Sequence, residues 1–90
     1  MLDKKFSTRF KKDLRGYEHR KEVIKEFNEV LELLLSERKL PEKYNDHKLS
    51  GDYVDYRECH VKPDVLLIYK ADKRLLYLYR MGSHAKLFES

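Results

Sequence analysis

The sequence has very little of what marks a secreted or membrane protein. Cys59 is the only cysteine among 90 residues, which excludes an internal disulfide and fits a reducing compartment. No apolar run approaches the roughly 20 residues that a membrane-spanning helix needs. Lys4 and Lys5 are followed by Phe6-Ser7-Thr8-Arg9 and not by the apolar segment of a signal peptide. We therefore predict a cytoplasmic protein that does not bind membranes.

Motifs for metals and cofactors are also missing. The histidines and Cys59 show no short ligand spacing such as HxxxH or CxxC, so the sequence predicts no metal site. No cofactor is predicted either. The chain contains no internal repeat and no low-complexity stretch, and its length predicts a single domain over residues 1–90.

Charge is abundant, but its sign is only slightly unbalanced. Charged residues make up 40% of the chain and hydrophobic residues 41%, which is typical of a folded domain with a highly charged surface. The 20 Lys and Arg exceed the 16 Asp and Glu, for a net charge of +4. A basic face would attract either a phosphate backbone or an acidic partner protein, and the excess alone does not choose between them.

Helical periodicity dominates the first half of the chain. Ser7 and Thr8 are candidate caps of a first helix that we expect to stop near Tyr17 or Glu18. A second helix is predicted over roughly Arg20 to Ser36, because its apolar residues form one continuous stripe. The stripe consists of Val23, Ile24, Phe27, Val30, Leu31, Leu34 and Leu35.

The second half reads as β structure. We predict strands over Tyr53 to Val61, Val65 to Tyr69 and Leu75 to Arg80, the last two joined by a polar turn, and Leu2 to Phe6 could add an edge strand. The predicted fold class is α+β, with two N-terminal helices packed on a small, mostly antiparallel sheet.

Polar residues interrupt this β half at its strand ends. His60 and Asp64 flank the turn after the first strand, Arg80 and His84 follow the last long strand, and His47 lies in the connector before the sheet. Both turns follow odd-numbered strands of a meander, so we expect these residues to meet at one end of the sheet. The predicted catalytic set is His47, His60, Asp64, Arg80 and His84.

This set suits cleavage of RNA without a metal. Histidine can remove the proton of a ribose 2′-OH or protonate the leaving 5′ oxygen at neutral pH. Arginine can stabilise the charge of the phosphorane, and Asp64 could hold an imidazole in one tautomer. Each residue also has an ordinary interpretation: Asp64 suits a turn, and Arg80 could pair with a carboxylate. Cys59 should point away from His60 into the core.

Three segments resemble the YafQ group of the RelE/ParE toxin superfamily. They are His47 to Gly51, Tyr56 to Tyr69 and Arg80 to Phe88. The resemblance implies a RelE-like fold and a toxin that cleaves mRNA in the ribosomal A site, leaving a 2′,3′-cyclic phosphate. The sequence departs from the family pattern at Val65, where some relatives have tryptophan.

The resemblance also implies roles for individual residues. It places the catalytic residues on the same five positions that the chemistry indicates. It places the family's C-terminal aromatic residue on Phe88, a candidate for substrate binding. Apart from the resemblance, Tyr56 and Lys62 are further candidate substrate-binding residues, and Tyr53 or Tyr56 could stack on bases. Candidate ribosome-binding residues are the basic ones near the N-terminus, Lys4, Lys5, Arg9, Lys11, Lys12 and Arg15.

Expected partners follow from the same resemblance. They are a cognate antitoxin, the ribosome with its RNA, the mRNA substrate, and operator DNA only through the antitoxin complex. Two alternatives remain open at this point. One is a ParE-like gyrase poison, and the other is a non-catalytic nucleic-acid-binding or co-repressor module on the same fold.

Overall fold

The computed structural model describes residues 1–88, so Glu89 and Ser90 of the predicted domain lie outside the described residues. Five strands and three helices follow one another along the chain. They are β1 (Asp3–Phe6), α1 (Thr8–Arg15), α2 (Lys21–Leu35), β2 (His47–Lys48), β3 (Arg57–Lys62), β4 (Val65–Ala71), β5 (Leu75–Gly82) and α3 (His84–Phe88). Two 3₁₀ turns, Glu42–Tyr44 and Gly51–Tyr53, flank β2.

The strands form one mixed sheet in the order β1-β5-β4-β3-β2. β1 runs parallel to β5, and the other neighbours are antiparallel. The α+β class is therefore confirmed. The predicted arrangement was incomplete, because the sheet also includes the two-residue strand β2 and the chain adds a third helix at His84.

Ser7 connects the first strand to the first helix. Its side chain accepts a hydrogen bond from the Phe10 amide and caps α1, as predicted. The same hydroxyl donates to the Tyr79 carbonyl at 2.6 Å, which ties the start of α1 to the edge of β5. α1 ends at Arg15, earlier than the predicted Tyr17 or Glu18, with Gly16 as its C-cap. α2 agrees with the prediction to within its cap residues.

The predicted start of the first strand of the β half, at Tyr53, was wrong. Residues 51–53 form a 3₁₀ turn, and β3 begins only at Arg57. The Tyr56 amide donates to the Tyr53 carbonyl at 2.8 Å, so the backbone is turned and not extended here. The two tyrosine rings then pack edge to face, with centroids 6.0 Å apart. The two rings therefore pack together in a turn, at positions where a strand was predicted.

The sheet has apolar side chains on both faces. The helix-facing side carries the larger core, which includes Cys59, Leu67, Leu78 and Met81, all fully buried. The opposite face carries a smaller cluster formed by Leu66, Ile68 and Leu87. Because Leu87 belongs to α3, this short helix covers the second face of the sheet.

We expect Tyr44→Phe to weaken the fold at neutral pH. The buried Tyr44 hydroxyl donates to Glu26 Oε2 at 2.8 Å. Burial, followed by this hydrogen bond, raises the pKa of Tyr44 from 10.0 to about 12. The neutral phenol therefore stabilises the native state fully below pH 10, and this contribution disappears as pH rises towards 12.

Losing this hydrogen bond should lower the free energy of unfolding by about 1 kcal/mol at pH 7. Urea denaturation of both proteins should show this difference and its decrease at alkaline pH. A difference that stays constant up to pH 12 would contradict the assignment.

Candidate active site

The sheet register brings four of the five predicted polar residues, all except Asp64, towards one end of the sheet. His60 pairs with Leu66 of β4, which in turn pairs with Gly82 of β5. The neighbouring cross-strand row contains His47, Glu58, Ile68 and Arg80. Adjacent strands are about 4.8 Å apart, so β3 and β5 are separated by roughly 10 Å. Since His84 comes two residues after Gly82, all three histidines lie near the same end of the sheet, as the sequence predicted.

A buried carboxylate that the sequence analysis missed lies between two of the histidines. Glu58 Oε1 is 3.2 Å from His47 Nε2 and 3.9 Å from His60 Nε2. The Glu58 side chain is only 7% exposed. One signal was available: Glu58 precedes His60 by two residues in a strand, so the two side chains share a face.

Asp64 is not the carboxylate that contacts a histidine. It lies in the exposed turn after β3 and accepts a hydrogen bond from Arg20 Nη1 at 3.1 Å. Arg20, at the start of α2, also bonds to Glu22. The predicted role of Asp64 in holding an imidazole is therefore wrong in this structure, because the turn directs the side chain towards α2. The neighbouring Glu58 has that contact.

Arg80 is held by a carboxylate from α1. A β-bulge interrupts the register between β4 and β5 at Ile68 and Tyr69, and bulges of this kind change the direction of nearby side chains. Arg80 Nε and Nη2 bond to the two oxygens of Asp13 at 2.8 and 3.3 Å. The Met81 amide donates to the same carboxylate at 3.0 Å. The bond to Asp13 raises the pKa of Arg80, so the guanidinium stays charged.

An aromatic cluster lies beside the third histidine. His84, the first residue of α3, packs against Phe88 with ring centroids 5.0 Å apart. Phe88 contacts Tyr53, and Tyr56 packs against Tyr79 at 5.1 Å. The predicted substrate-binding residues Tyr56 and Phe88 therefore belong to one half-buried aromatic cluster beside His84. Tyr79 belongs to the same cluster and was not predicted.

The comparison with known families agrees with this geometry. The sequence profile of the YafQ family, described as the bacterial toxin of a type II toxin–antitoxin system, matches residues 2–89. This chain belongs to the YafQ toxin family. The mRNA interferase toxin YafQ of Escherichia coli K12 is 37% identical over 87 residues, which cover 96% of this chain and 95% of that protein.

Solved structures show the same relationship. The metal-bound toxin from Helicobacter pylori is 42% identical, with a TM-score of 0.89 over 98% of this chain and 100% of the other. YafQ in the E. coli DinJ–YafQ complex is 36% identical, with a TM-score of 0.88 over 98% and 99% of the two chains. The fold and the family are therefore established along nearly the whole chain.

The basic residues predicted to bind the ribosome are all exposed in this YafQ-family toxin. They are Lys4, Lys5, Arg9, Lys11, Lys12 and Arg15. Arg9 and Lys12 line a cleft of about 240 Å³ together with Asp13, Arg80 and Lys86. Lys86 was missed by the sequence analysis. The cleft contains four cations and one carboxylate, so it offers a positive surface next to Arg80.

The third predicted substrate-binding residue lies on the other side of the histidines. Lys62 Nζ is 3.8 Å from Glu26 Oε1, and both residues line a cleft of about 360 Å³ with His60. Lys62 is therefore close to His60 but partly neutralised by Glu26.

Cys59 lies on the helix-facing side of β3, as predicted. Its side chain is fully buried, and burial raises the pKa of its thiol, which excludes it as a nucleophile. In the described part of the chain, no three His, Cys, Asp or Glu residues are arranged to hold a metal ion. Over the same 88 residues, no helix is long and apolar enough to cross a membrane.

Proposed function

We propose that this chain is a ribosome-dependent endoribonuclease that cleaves mRNA in the A site. Its family is that of type II toxin–antitoxin toxins, and its E. coli relative carries the name mRNA interferase. The reaction is attack of a ribose 2′-OH on the adjacent phosphate without a metal, and it leaves a 2′,3′-cyclic phosphate and a 5′-hydroxyl. Ribosomes place this activity in the cytoplasm.

The convergence of three histidines and an arginine carries this proposal. It is supported by the sheet register, in which His60 lies in the same cross-strand row as Gly82, two residues before His84, and Arg80 lies in the neighbouring row. Partly exposed imidazoles and a fixed guanidinium are the groups that acid–base cleavage of a phosphodiester requires. His84 is exposed, and His60 and His47 are partly exposed.

The roles follow from the chemistry of the reaction. His84 and one of His60 or His47 act as acid and base, and each proton transfer contributes about 10²–10⁴-fold. Arg80 stabilises the phosphorane, with Asp13 fixing its orientation. Asp64 remains in the proposed catalytic set through the family resemblance alone. The ribosome supplies in-line positioning of the RNA.

Substrate contacts are proposed for the aromatic residues near His84 and for the basic residues near His60 and Arg80. Tyr56 and Phe88 stack on bases, which is worth about 1–3 kcal/mol for each base. Lys62 and the cleft that contains Lys86 face the phosphate backbone.

The proposed protein partner is a cognate antitoxin. E. coli YafQ has been crystallised with DinJ, and a free endoribonuclease would poison its host. We propose that operator DNA is bound only through such a toxin–antitoxin complex, and that no metal or other cofactor takes part in cleavage.

Reversing two charges on α1 should weaken ribosome binding. Lys11 and Lys12 are exposed and form no ion pair with any residue from 1 to 88. Replacing both with Glu should lower the slope of log affinity against log salt by about 1 for each lysine that contacts a phosphate. Lys21 and Lys25 on the exposed side of α2 provide the matched control for the charge change. Equal loss in both double variants would show that only net charge matters.

The test of the proposed function compares ribosome-bound and free mRNA. The protein should cut an end-labelled mRNA in a purified translation system and leave the same RNA uncut without ribosomes. Cutting of free RNA at a similar rate would remove the ribosome from the mechanism. Absence of cutting by the folded protein would refute the nuclease proposal, and gyrase inhibition would then be measured.

A further inference from the structure

Glu58 has an unusual environment for a carboxylate. Its Oε1 faces two histidines, while its Oε2 is buried and accepts no hydrogen bond from any residue in the described range. A buried carboxylate oxygen without a partner is costly to the folded state. Its cross-strand neighbour on β4, the apolar Ile68, offers the carboxylate no hydrogen bond. This combination points to a role in the function of the adjacent histidines.

His47 is fixed at both ring nitrogens. Nδ1 lies 2.7 Å from the Asn45 carbonyl oxygen, and Nε2 lies 3.2 Å from Glu58 Oε1. A carbonyl oxygen only accepts, so Nδ1 must carry a proton. Nε2 is directed at a carboxylate oxygen. Both nitrogens of His47 therefore face protein oxygens, and neither is open to the proton of a 2′-OH.

His60 is in a different position. Its Nε2 is 3.9 Å from Glu58 Oε1, which is too long for a hydrogen bond. The rings of His47 and His60 are 6.5 Å apart and tilted by 50°, so His60 packs beside the pair without joining it. Its side chain is 32% exposed at the end of the sheet where His84 begins α3. His60 can therefore present a ring nitrogen to a substrate.

We propose that Glu58 is a positioning residue that locks His47 in place and leaves His60 as the histidine that exchanges protons together with His84. This inference rests on the proposed function and makes it more specific. In the reaction, the neutral imidazole of one of these two histidines takes the proton of the 2′-OH. The 2′ oxygen then bonds to phosphorus, the bond to the 5′ oxygen breaks, and the imidazolium of the other donates its proton to that oxygen. His47, held by Asn45 and Glu58, supports His60 and transfers no proton.

Glu58→Gln is the decisive variant because it keeps the shape and removes the charge. We expect it to fold about as stably as the wild type, since it removes a buried charge whose Oε2 has no hydrogen-bond partner among residues 1–88. Cleavage on the ribosome should fall about 10–100-fold in kcat, as for other groups that orient a functional imidazole. KM should not change. Glu22→Gln, which removes an exposed carboxylate, is the control and should cleave like the wild type.

Histidine variants separate support from catalysis. The kcat of His47→Gln should fall by the same factor as that of Glu58→Gln. The kcat of the double variant should fall little further, because both changes break the same contact. His60→Gln should lower kcat by about 10²–10⁴-fold. Wild-type kcat in Glu58→Gln would overturn the proposal, and so would a loss in His47→Gln as large as that in His60→Gln.

A spectroscopic measurement tests the same point without activity. In ¹⁵N spectra of the wild-type protein at neutral pH, His47 Nδ1 should be protonated, and Nε2 should change its resonance in Glu58→Gln. A free Nδ1 lone pair on His47 would overturn the proposal. If the wild type cleaves no mRNA but His47 shows this protonation, the proposed function fails while the Glu58 contact stands.

Discussion

Replacing His84 with alanine is expected to slow mRNA cleavage on the ribosome by about 10²–10⁴-fold, the usual contribution of one acid or base. His84 is exposed at the start of α3, and its ring packs against Phe88. The variant should therefore keep its fold and its ribosome affinity. Single-turnover cleavage at saturating protein would measure the loss directly.

His19→Ala is the matched control for this experiment. His19 is exposed in the turn between α1 and α2, away from the sheet. Its replacement should leave the rate of cleavage unchanged. Full activity of His84→Ala would exclude His84 from proton transfer, while equal loss in both variants would indicate an indirect effect.

Replacing Asp13 with asparagine is expected to destabilise the fold by about 3 kcal/mol, which lies at the lower end of the range for breaking a buried ion pair. The Asp13 carboxylate is 5% exposed and binds both Arg80 and the Met81 amide. Asparagine cannot neutralise Arg80 and has one accepting oxygen fewer. In a domain of this size each kcal/mol lowers Tm by roughly 4–8 °C, so thermal denaturation will show the change clearly.

The same variant tests the predicted position of Arg80. Without Asp13 the guanidinium loses its two-point contact, so cleavage should fall even where the protein is still folded. Asp64→Asn removes an arginine partner of the same type from the surface, and exposed pairs contribute little to stability. It should melt like the wild type. A Tm of Asp13→Asn close to that of Asp64→Asn would contradict a structural role for the Asp13–Arg80 pair.

Local patterns were sufficient to predict most of the fold. The apolar stripe located α2 almost to its caps, and the Ser7 cap located α1. The two continuous apolar runs after Pro63 became β4 and β5. β2 was missed because two residues carry no periodicity, and their pairing with β3 depends on a contact distant in sequence. α3 was missed because five residues are too few to show a helical stripe.

The candidate site was predicted as a group but not in its internal contacts. Strand order places His60 and His84 at one end of the sheet, and a meander pattern is enough to predict this. Which carboxylate faces which cation depends on the side-chain directions set by the bulge in β5 and the turn after β3. A sequence-based prediction can therefore assign the histidine contact to Asp64 when Glu58 makes it. The Asp13–Arg80 pair was not predicted because it joins residues 67 positions apart.

An mRNA that lacks the 2′-OH at one mapped cleavage site tests directly whether the ribose 2′-OH is the attacking group. The attacking group is then absent, while base identity and the path of the RNA through the ribosome are retained. We predict that cleavage at this position stops, and that the unmodified mRNA yields a 2′,3′-cyclic phosphate and a 5′-hydroxyl. Continued cleavage of the 2′-deoxy substrate, with a 5′-phosphate on the product, would contradict this prediction.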